Sequence, residues 1–480
     1  MNQHHDAFSR TLAAAHQHAL AYLDALDQSP VAAPADLATL RQRLDKPLTD
    51  EPIAPDQVIH ELVRDVEGGI NGSAGGRFFG WVIGGSLPSA VAADWLTSTW
   101  DQNAGLYACA PAAAVVEEVA GAWLKDLLGL PAKTSFALLT GTQMAHVTCL
   151  AAARHALLSR RGWDLEQLGL YGAPPIRILC STQRHGTIDR AIRLLGFGRK
   201  HLVCLPADHL GRLSVEALSE ALAADPTAPT IVALQAGDVN TGAFDDFEHI
   251  VPLAHKHGAW VHIDGAFGLW AAASPTYAHL MKDAARADSW VTDGHKWLNV
   301  PYDCGYAFVT DAEAHRASMS HRAAYLTHDA DARDPMDWNP EFSRRARGFP
   351  TYAALRQLGR LGVADLVDRC CRHAHDIVAG LGKLPGVELL SEPIINQGLV
   401  RFLDPSPGAQ PADHGRRTEQ VIDAILKSGE ALFSPTTWQG ERAMRVSVSS
   451  WMTSEEDVRR VIKAFEQVLE ASPAPAVEKN

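Results

Sequence analysis

Four short segments of this sequence set a reactive side chain at the end of an apolar run. VTDGHKWLNVPYDCGYAFV (291–309) places Lys296 just past such a run, with His295 before it and Trp297 after it. A charged, unpaired ammonium is costly in apolar surroundings, and burial favours the neutral, nucleophilic amine. Most lysines at strand ends are simply solvated, so Lys296 alone decides little. WVHIDGAFG (260–268) ends an apolar run on Asp264. A carboxylate at the C-terminal edge of a parallel strand is placed to pair with a bound cation; a capping aspartate is the plain alternative. Asp264 and Lys296 lie 32 residues apart, the length of about one strand-helix-strand unit, so both open onto one sheet edge.

Two further segments supply what an anion and a flat ring require. FALLTGTQMAHVTCLAAARH (136–155) reads as strand, tight glycine turn and helix, with the Thr142 hydroxyl and the N–H groups of Thr142 and Gln143 at the helix start. Helix N-termini attract phosphate, although many such turns bind nothing. CSTQRHGTIDRAIRLLG (180–196) puts His185 at the start of another helix after a strand, where a capping histidine is the common role. Taken together, the four segments answer the needs of pyridoxal 5'-phosphate (PLP). That cofactor takes an amine for a Schiff base, an acid for its ring nitrogen, donors for its phosphate and a flat group over its ring. Lys296, Asp264, the turn at Thr142 and His185 supply these in that order.

The set resembles the fold-type I PLP enzymes. More narrowly it resembles the group II amino-acid decarboxylases, which include the aromatic amino-acid and glutamate decarboxylases. The likeness runs from RFFGWV to the last helix, and HIDGAFG with DGHKWLNVPYDCG carry most of it. GTQMA, TQRHGTIDRA, FFGWVIGG and APAAAVVEEV match at corresponding places. The resemblance implies that Lys296 is the Schiff-base lysine, that His185 stacks on the ring, and that Asp264 pairs with the ring nitrogen. It implies that Thr142, Gln143 and His295 lie near the phosphate and that Asn240, within QAGDVNTGAFDD, belongs to the cofactor site. The family usually has Thr at the Asn240 place. It also usually has a loop Tyr that protonates the carbanion after CO2 leaves. A register anchored on Trp338 and SRRARG puts Pro335 there, with Tyr325 ten residues upstream.

The expected reaction is decarboxylation of an L-amino acid, aromatic by preference, to the amine and CO2. The Pro335 departure keeps other carbanion fates open: carbon–carbon cleavage, oxidative deamination to an aldehyde, or transamination. Phe78, Phe79, Trp81 and Tyr107 are candidate pocket walls, and Gly84 and Gly85 candidate space for a side chain. Arg345 or Arg347, from the cluster that also holds Arg344, is a candidate for the substrate carboxylate. A nucleotide-binding Rossmann-like protein is disfavoured, because no GxGxxG follows a first strand. The histidine clusters HHDAF, HQH and HKH have no spaced carboxylate partner, so no metal is expected.

Alternating elements must position these residues. From about 80 to 360, helix-length segments alternate with IRILC, HLVCL, TIVALQ, WVHID, SWVTD and GYAFV. That pattern predicts an α/β fold with a mostly parallel sheet covered on both faces. Three parts are expected: an N-terminal helical arm over 1–78, a large cofactor-binding α/β domain over 79–361, and a small α+β domain over 362–480. The arm has little apolar content to bury by itself, which points to an embraced second subunit and a homodimer, the family's usual state.

Composition sets the outer limits. The chain has 480 residues, is 46% hydrophobic and 21% charged, and carries a net charge of −13. An acidic chain repels phosphate backbones, so nucleic acid is not expected as a partner. Seven cysteines without a CxxC argue against a disulfide framework or zinc ribbon. There is no run of 18 apolar residues and no basic segment leading an apolar core at the N-terminus, so no membrane association is expected and the expected location is the cytoplasm.

Overall fold

A computed structural model describes residues 3–321 and 332–471. Among these, twelve strands and fourteen α-helices form two sheets with helical cover. Seven short apolar runs make the large sheet: β2 (Ser135–Leu139), β3 (Arg177–Ser181), β4 (Leu202–Leu205), β5 (Thr230–Gln235), β6 (Trp260–Asp264), β7 (Ser289–Asp293) and β8 (Gly305–Val309). Their order is β2-β8-β7-β6-β5-β3-β4. Neighbours from β4 through β7 pair in parallel, and only β8 runs against both of its neighbours. Five of the seven strands are buried at every residue, which is why they read as continuous apolar runs rather than alternating ones.

Helices cover both faces. They include α4 (Pro88–Trp100), α5 (Pro111–Leu127), α6 (Thr142–Ser159), α7 (Leu165–Leu168), α8 (Gly186–Leu194), α9 (Val215–Ala224), α10 (Phe247–Lys256) and α11 (Ala312–Met319). The alanine-rich α6 lies against β2, β6, β7 and β8, and its small side chains let it approach the sheet. Trp260, Trp270, Trp290, Trp297 and Tyr306 are fully buried around the strands that carry Asp264 and Lys296, so the site rests on dense packing.

The second sheet follows the order β1-β11-β12-β10-β9, from β1 (Phe78–Phe79), β9 (Val387–Ser391), β10 (Gln397–Phe402), β11 (Leu432–Trp438) and β12 (Glu441–Ser447). Three helices accompany it: α12 (Gly348–Leu381), α13 (Pro411–Ser428) and α14 (Glu455–Ala471). Sequence reading does not mark β11, and its composition explains why. Ser434, Pro435, Thr436 and Thr437 interrupt the apolar run. β1 pairs only with Leu432 and Phe433, so Pro435 sits where β11 has become an edge strand and its missing N–H costs little. Helix α12 packs on α4 and α5 at one end and α14 at the other, with a break at Gly359 (φ 59°, ψ −177°).

The arm consists of α1 (Gln3–Ala25), α2 (Leu37–Leu44) and α3 (Pro55–Asp65). Helix α1 packs on α3, yet Phe8, Leu12, Leu23, Val58 and Leu62 stay exposed. Trp95, Leu96 and Trp100 of α4 are exposed as well, and the His16 ring meets Trp95 edge-on at 6.2 Å.

A buried charge cluster fixes the segment after residue 332. Glu117 of α5 pairs with Arg344 at 2.6 Å and Arg333 at 3.1 Å. Arg344 also donates to the carbonyls of Ala104 and Leu138, and Arg333 donates to that of Phe136 while lying 4.1 Å over the Phe136 ring. The rest of the arginine cluster is likewise engaged: Arg345 with Asp94, and Arg347 with Asp303 and Glu341. The expectation that Arg345 or Arg347 meets a substrate carboxylate therefore meets arginines already tied to internal carboxylates.

Candidate active site

The C-terminal ends of β2, β3, β6 and β7 and the start of β8 share one edge of the large sheet, the usual place for ligands in such sheets. Lys296 lies three residues past the end of β7. Its Nζ is 3.1 Å from Asp293 Oδ2, and its side chain is 21% exposed. Asp293 is buried and also accepts the backbone N–H of Thr142 at 2.7 Å and the Thr142 hydroxyl at 3.0 Å. One carboxylate thus ties the lysine turn to the first turn of α6. Close backbone approach makes this possible: a Cβ on Gly305 would lie 2.5 Å from Gly141 Cα and 2.8 Å from Asp293 Oδ1. Sequence reasoning passed over Asp293, although it ends a strand just as Asp264 does.

His295 braces the same turn. Its Nδ1 accepts the Cys304 N–H at 3.1 Å, its Nε2 is 3.6 Å from Asp293, and its ring stacks on Tyr302 at 4.3 Å. Burial lowers its pKa, with Asp293 opposing the shift. Gly84 faces this turn: a Cβ there would meet the Lys296 carbonyl at 2.0 Å. A Cβ on Gly85 would lie 3.0 Å from the Ala74 carbonyl. These glycines make room for backbone, not for a substrate side chain.

Asp264 ends β6, buried. Burial pushes its carboxyl up, but His146, His185 and Lys296 outweigh that and hold it well below the usual carboxylate range. His146 Nε2 is 3.3 Å from Asp264 Oδ2. His185 caps α8, its Nδ1 accepting from Thr187. That leaves Nε2–H as the free donor on an exposed residue. Partial burial lowers its pKa, with Asp264 opposing. Gln143 Nε2 reaches the Thr187 carbonyl at 3.3 Å and so joins the starts of α6 and α8. Asn240 Oδ1 accepts the hydroxyl of Thr436 on β11 at 2.8 Å.

Two site residues gave no readable signal. His146 lies in an apolar helix, four residues after Thr142, and looks like core. Arg445 lies inside a strand read only as RAMRVSVS. It is buried, donates to the Trp81 carbonyl at 3.1 Å, and has an Nε without a hydrogen-bond partner among the described residues. Burial lowers its pKa to about 10, with Asp238 opposing, and its charge reaches His185. Phe79 stacks on Phe433 at 5.1 Å, and Phe78 packs with Val31 and Leu432, so both are core. Trp81 is 56% exposed. Tyr107 is half-buried, with its N–H bonded to Asp334. Pro335 lies buried in a short turn whose carbonyl accepts from Asn339, and Tyr325 falls outside the described residues.

The donor set fits PLP: an amine, a carboxylate held anionic, an imidazole at the cleft and a helix N-terminus drawn together at one edge. The model of the pyridoxal-dependent decarboxylase conserved domain matches residues 38–403. The chain belongs to the pyridoxal-dependent decarboxylase family. Its cofactor is PLP, and its reaction is the decarboxylation of an amino acid. It is similar to an aromatic-L-amino-acid decarboxylase of Bacillus atrophaeus, 26% identical, covering 92% of this chain and 91% of that one. It is also similar to a phenylacetaldehyde synthase of Arabidopsis thaliana, 21% identical over 93% of this chain and 92% of that one. The Oryza sativa TDC solved with PLP and tryptamine shares the fold, with a TM-score of 0.90 over 98% of both chains at 23% identity.

The buried imidazoles of this decarboxylase make a pH prediction. Burial lowers the pKa of His262 and of His315 to about 3. An unfolded chain takes up protons on these groups below about pH 6.5, whereas the folded chain does not. Their contribution to stability is therefore complete above that pH and is lost as pH falls toward about 3. Histidine NMR should show both rings neutral at pH 5, and denaturant melts should lose up to about 1.4 kcal/mol per pH unit for each ring. Rings that titrate near pH 6.5 would contradict this.

Proposed function

We propose that the chain decarboxylates an aromatic L-amino acid to its amine as a cytoplasmic homodimer. Bound PLP would supply an electron sink for the charge left on Cα when CO2 departs. In this reading Thr142, Gln143 and His295 hold the phosphate end, and Asp264 keeps a proton on the ring nitrogen. Lys296 would give the amine that holds the cofactor. His185 would stack on the ring, with its Nε2–H available to move a proton to Cα. Arg445 is the observation that carries the reading of an amino-acid site. It is a buried guanidinium whose Nε lacks a hydrogen-bond partner among the described residues and whose charge is felt at His185, suited to draw in a carboxylate.

The aromatic preference is supported by exposed rings beside site residues. Trp81 adjoins Arg445 through its carbonyl, and Tyr302, 59% exposed, stacks on His295. Relatives named for aromatic amino acids support it too. Aldehyde formation by oxidative deamination is the second reading, favoured by Pro335 at the loop-tyrosine register and by relatives named as aldehyde synthases. A panel of common amino acids separates the two. The expected result is fastest turnover on an aromatic substrate, with CO2 and amine formed one to one. Aldehyde and ammonia with oxygen uptake would favour the second reading, and fastest turnover on an acidic substrate would overturn the aromatic preference.

The exposed apolar faces of α1, α3 and α4 support the dimer, as surface a partner subunit would cover. A monomer by sedimentation at micromolar concentration would refute it. No described helix is long and apolar enough to cross a membrane. The seven cysteines are all unpaired, which suits a reducing compartment.

A further inference from the structure

Behind Asp264 runs a buried line of polar groups that the reaction does not use directly. Trp260 Nε1 donates to Ser289 Oγ at 2.9 Å, and Ser289 Oγ lies 2.9 Å from His262 Nδ1. His262 Nε2 lies 2.9 Å from His146 Nδ1, and His146 Nε2 lies 3.3 Å from Asp264 Oδ2. All four groups behind the carboxylate are inaccessible to solvent. The residues come from α6, β6 and β7, so tertiary packing alone assembles the line.

The two ends dictate which way the hydrogens point. An indole N–H only donates, and an ionised carboxylate only accepts. With Ser289 accepting from Trp260, its own hydroxyl hydrogen is free for His262 Nδ1. Neutral His262 then donates from Nε2 to His146 Nδ1, which leaves His146 with its hydrogen on Nε2, facing Asp264. The reverse arrangement of neutral rings would set a bare imidazole lone pair against the carboxylate, which is repulsive in a medium of low polarity. A reversed His262 therefore requires a charged His146, whose Nε2–H again faces Asp264. Each workable arrangement points the His146 Nε2 hydrogen toward Asp264 at 3.3 Å, an electrostatic contact that does not meet hydrogen-bond geometry.

We propose that His146 is a positioning residue, acting at the end of this line to fix the Asp264 carboxylate as an ionised acceptor aimed at the PLP ring nitrogen. Without the His146 N–H, Asp264 keeps its burial cost and the Ala266 N–H on Oδ1 at 3.1 Å, but loses its largest electrostatic compensation. The carboxyl group then retains the proton itself, and the ring nitrogen is left neutral. Thr142 and His146 lie four residues apart on one face of α6. The helix that meets Asp293 and the lysine turn thus also sets the acid behind the ring. This inference rests on the proposed pairing of Asp264 with the ring nitrogen, and the test separates the two.

The apoproteins of wild type, His146→Leu, His146→Gln and Asp264→Ala would be titrated by fluorescence with PLP and with its analogue carrying C–H in place of the ring nitrogen. The 15N resonance of ring-labelled PLP would be recorded in each holoprotein. Wild type should prefer PLP about tenfold or more, the equivalent of one pKa unit of differential interaction, and show a pyridinium resonance. His146→Leu should lose the preference and move the resonance toward neutral pyridine, while His146→Gln, which keeps an N–H donor, should restore most of both. A purely structural histidine would weaken binding of both cofactors equally and leave the resonance unmoved, which would overturn the proposal. If Asp264→Ala also keeps the preference and the pyridinium signal, the Asp264 pairing itself falls. Should His146→Leu not fold, 15N-histidine spectra of wild type decide, because absence of a hydrogen on His146 Nε2 would overturn the proposal.

Discussion

Replacing Lys296 by alanine should cut turnover by roughly 10³-fold or more, because a positioned amine can be worth an effective concentration on the order of 10⁵ M and no other described amine shares its place. The Asp293 pair and the turn braced by His295 and Cys304 hold that amine at the sheet edge. The variant should keep its fold, because Lys296 contributes its side chain to the cleft rather than to the core. Millimolar alkylamine should recover part of the rate, since it returns the functional group without its placement. The measurements are single-turnover rates with and without added amine, the loss of the lysine-bound cofactor's absorption band, and a denaturant melt. Turnover within tenfold of wild type would remove Lys296 from the chemistry.

Glu117→Ala should destabilise the fold by about 3–5 kcal/mol, the usual cost of leaving a buried charge without its partner. Here two guanidinium groups are stranded at once, the half-buried Arg333 and the fully buried Arg344, both bonded to carbonyls of β2. Burial already lowers the pKa of Arg333, and Glu117 is the main opposing charge. Total stabilities lie near 5–15 kcal/mol, so the loss approaches the point at which the chain no longer folds. Glu117→Leu combined with Arg344→Met should cost less than Glu117→Ala alone, because apolar groups can fill the space while one stranded charge is removed. Urea melts of the three proteins test the ranking. Equal stability of Glu117→Ala and wild type would show that water reaches the arginines.

The sequence exposes whatever depends on local pattern. Strands β5 through β8 are legible because burial on both faces makes each an unbroken apolar run, and β3 and the partly exposed edge strand β4 are legible from their apolar composition. Lys296 and Asp264 are legible because a polar residue stands out where such a run stops. Asp293 obeys the same rule, but it lies so close to Lys296 that the lysine draws the reading. His146 and Arg445 sit inside apolar elements, and only packing reveals what they face. The arginines at 344–347 show the converse: their charges are plain in the sequence, but their partners at 117, 94 and 303 are contributed by distant segments. Strand β11 is hidden because Ser434, Pro435, Thr436 and Thr437 break its apolar run, and antiparallel pairing with β12 holds it without that pattern.

The stretch from Phe78 to Leu87 deserves a mechanical reading. It is hydrogen-bonded to β11 at Phe78–Phe79, presses Gly84 against the Lys296 carbonyl, receives the Trp451 indole N–H on the Ser86 carbonyl, and gives the Leu87 N–H to Asn299. The arm, the small sheet and the lysine turn are thus threaded on one strap with almost no slack. Tension applied to the arm by a subunit seated on it would be delivered to the lysine turn through backbone contacts. In the proposed homodimer, quaternary assembly and the placement of the reactive amine would be in series, and loosening one end of the strap would detune the other.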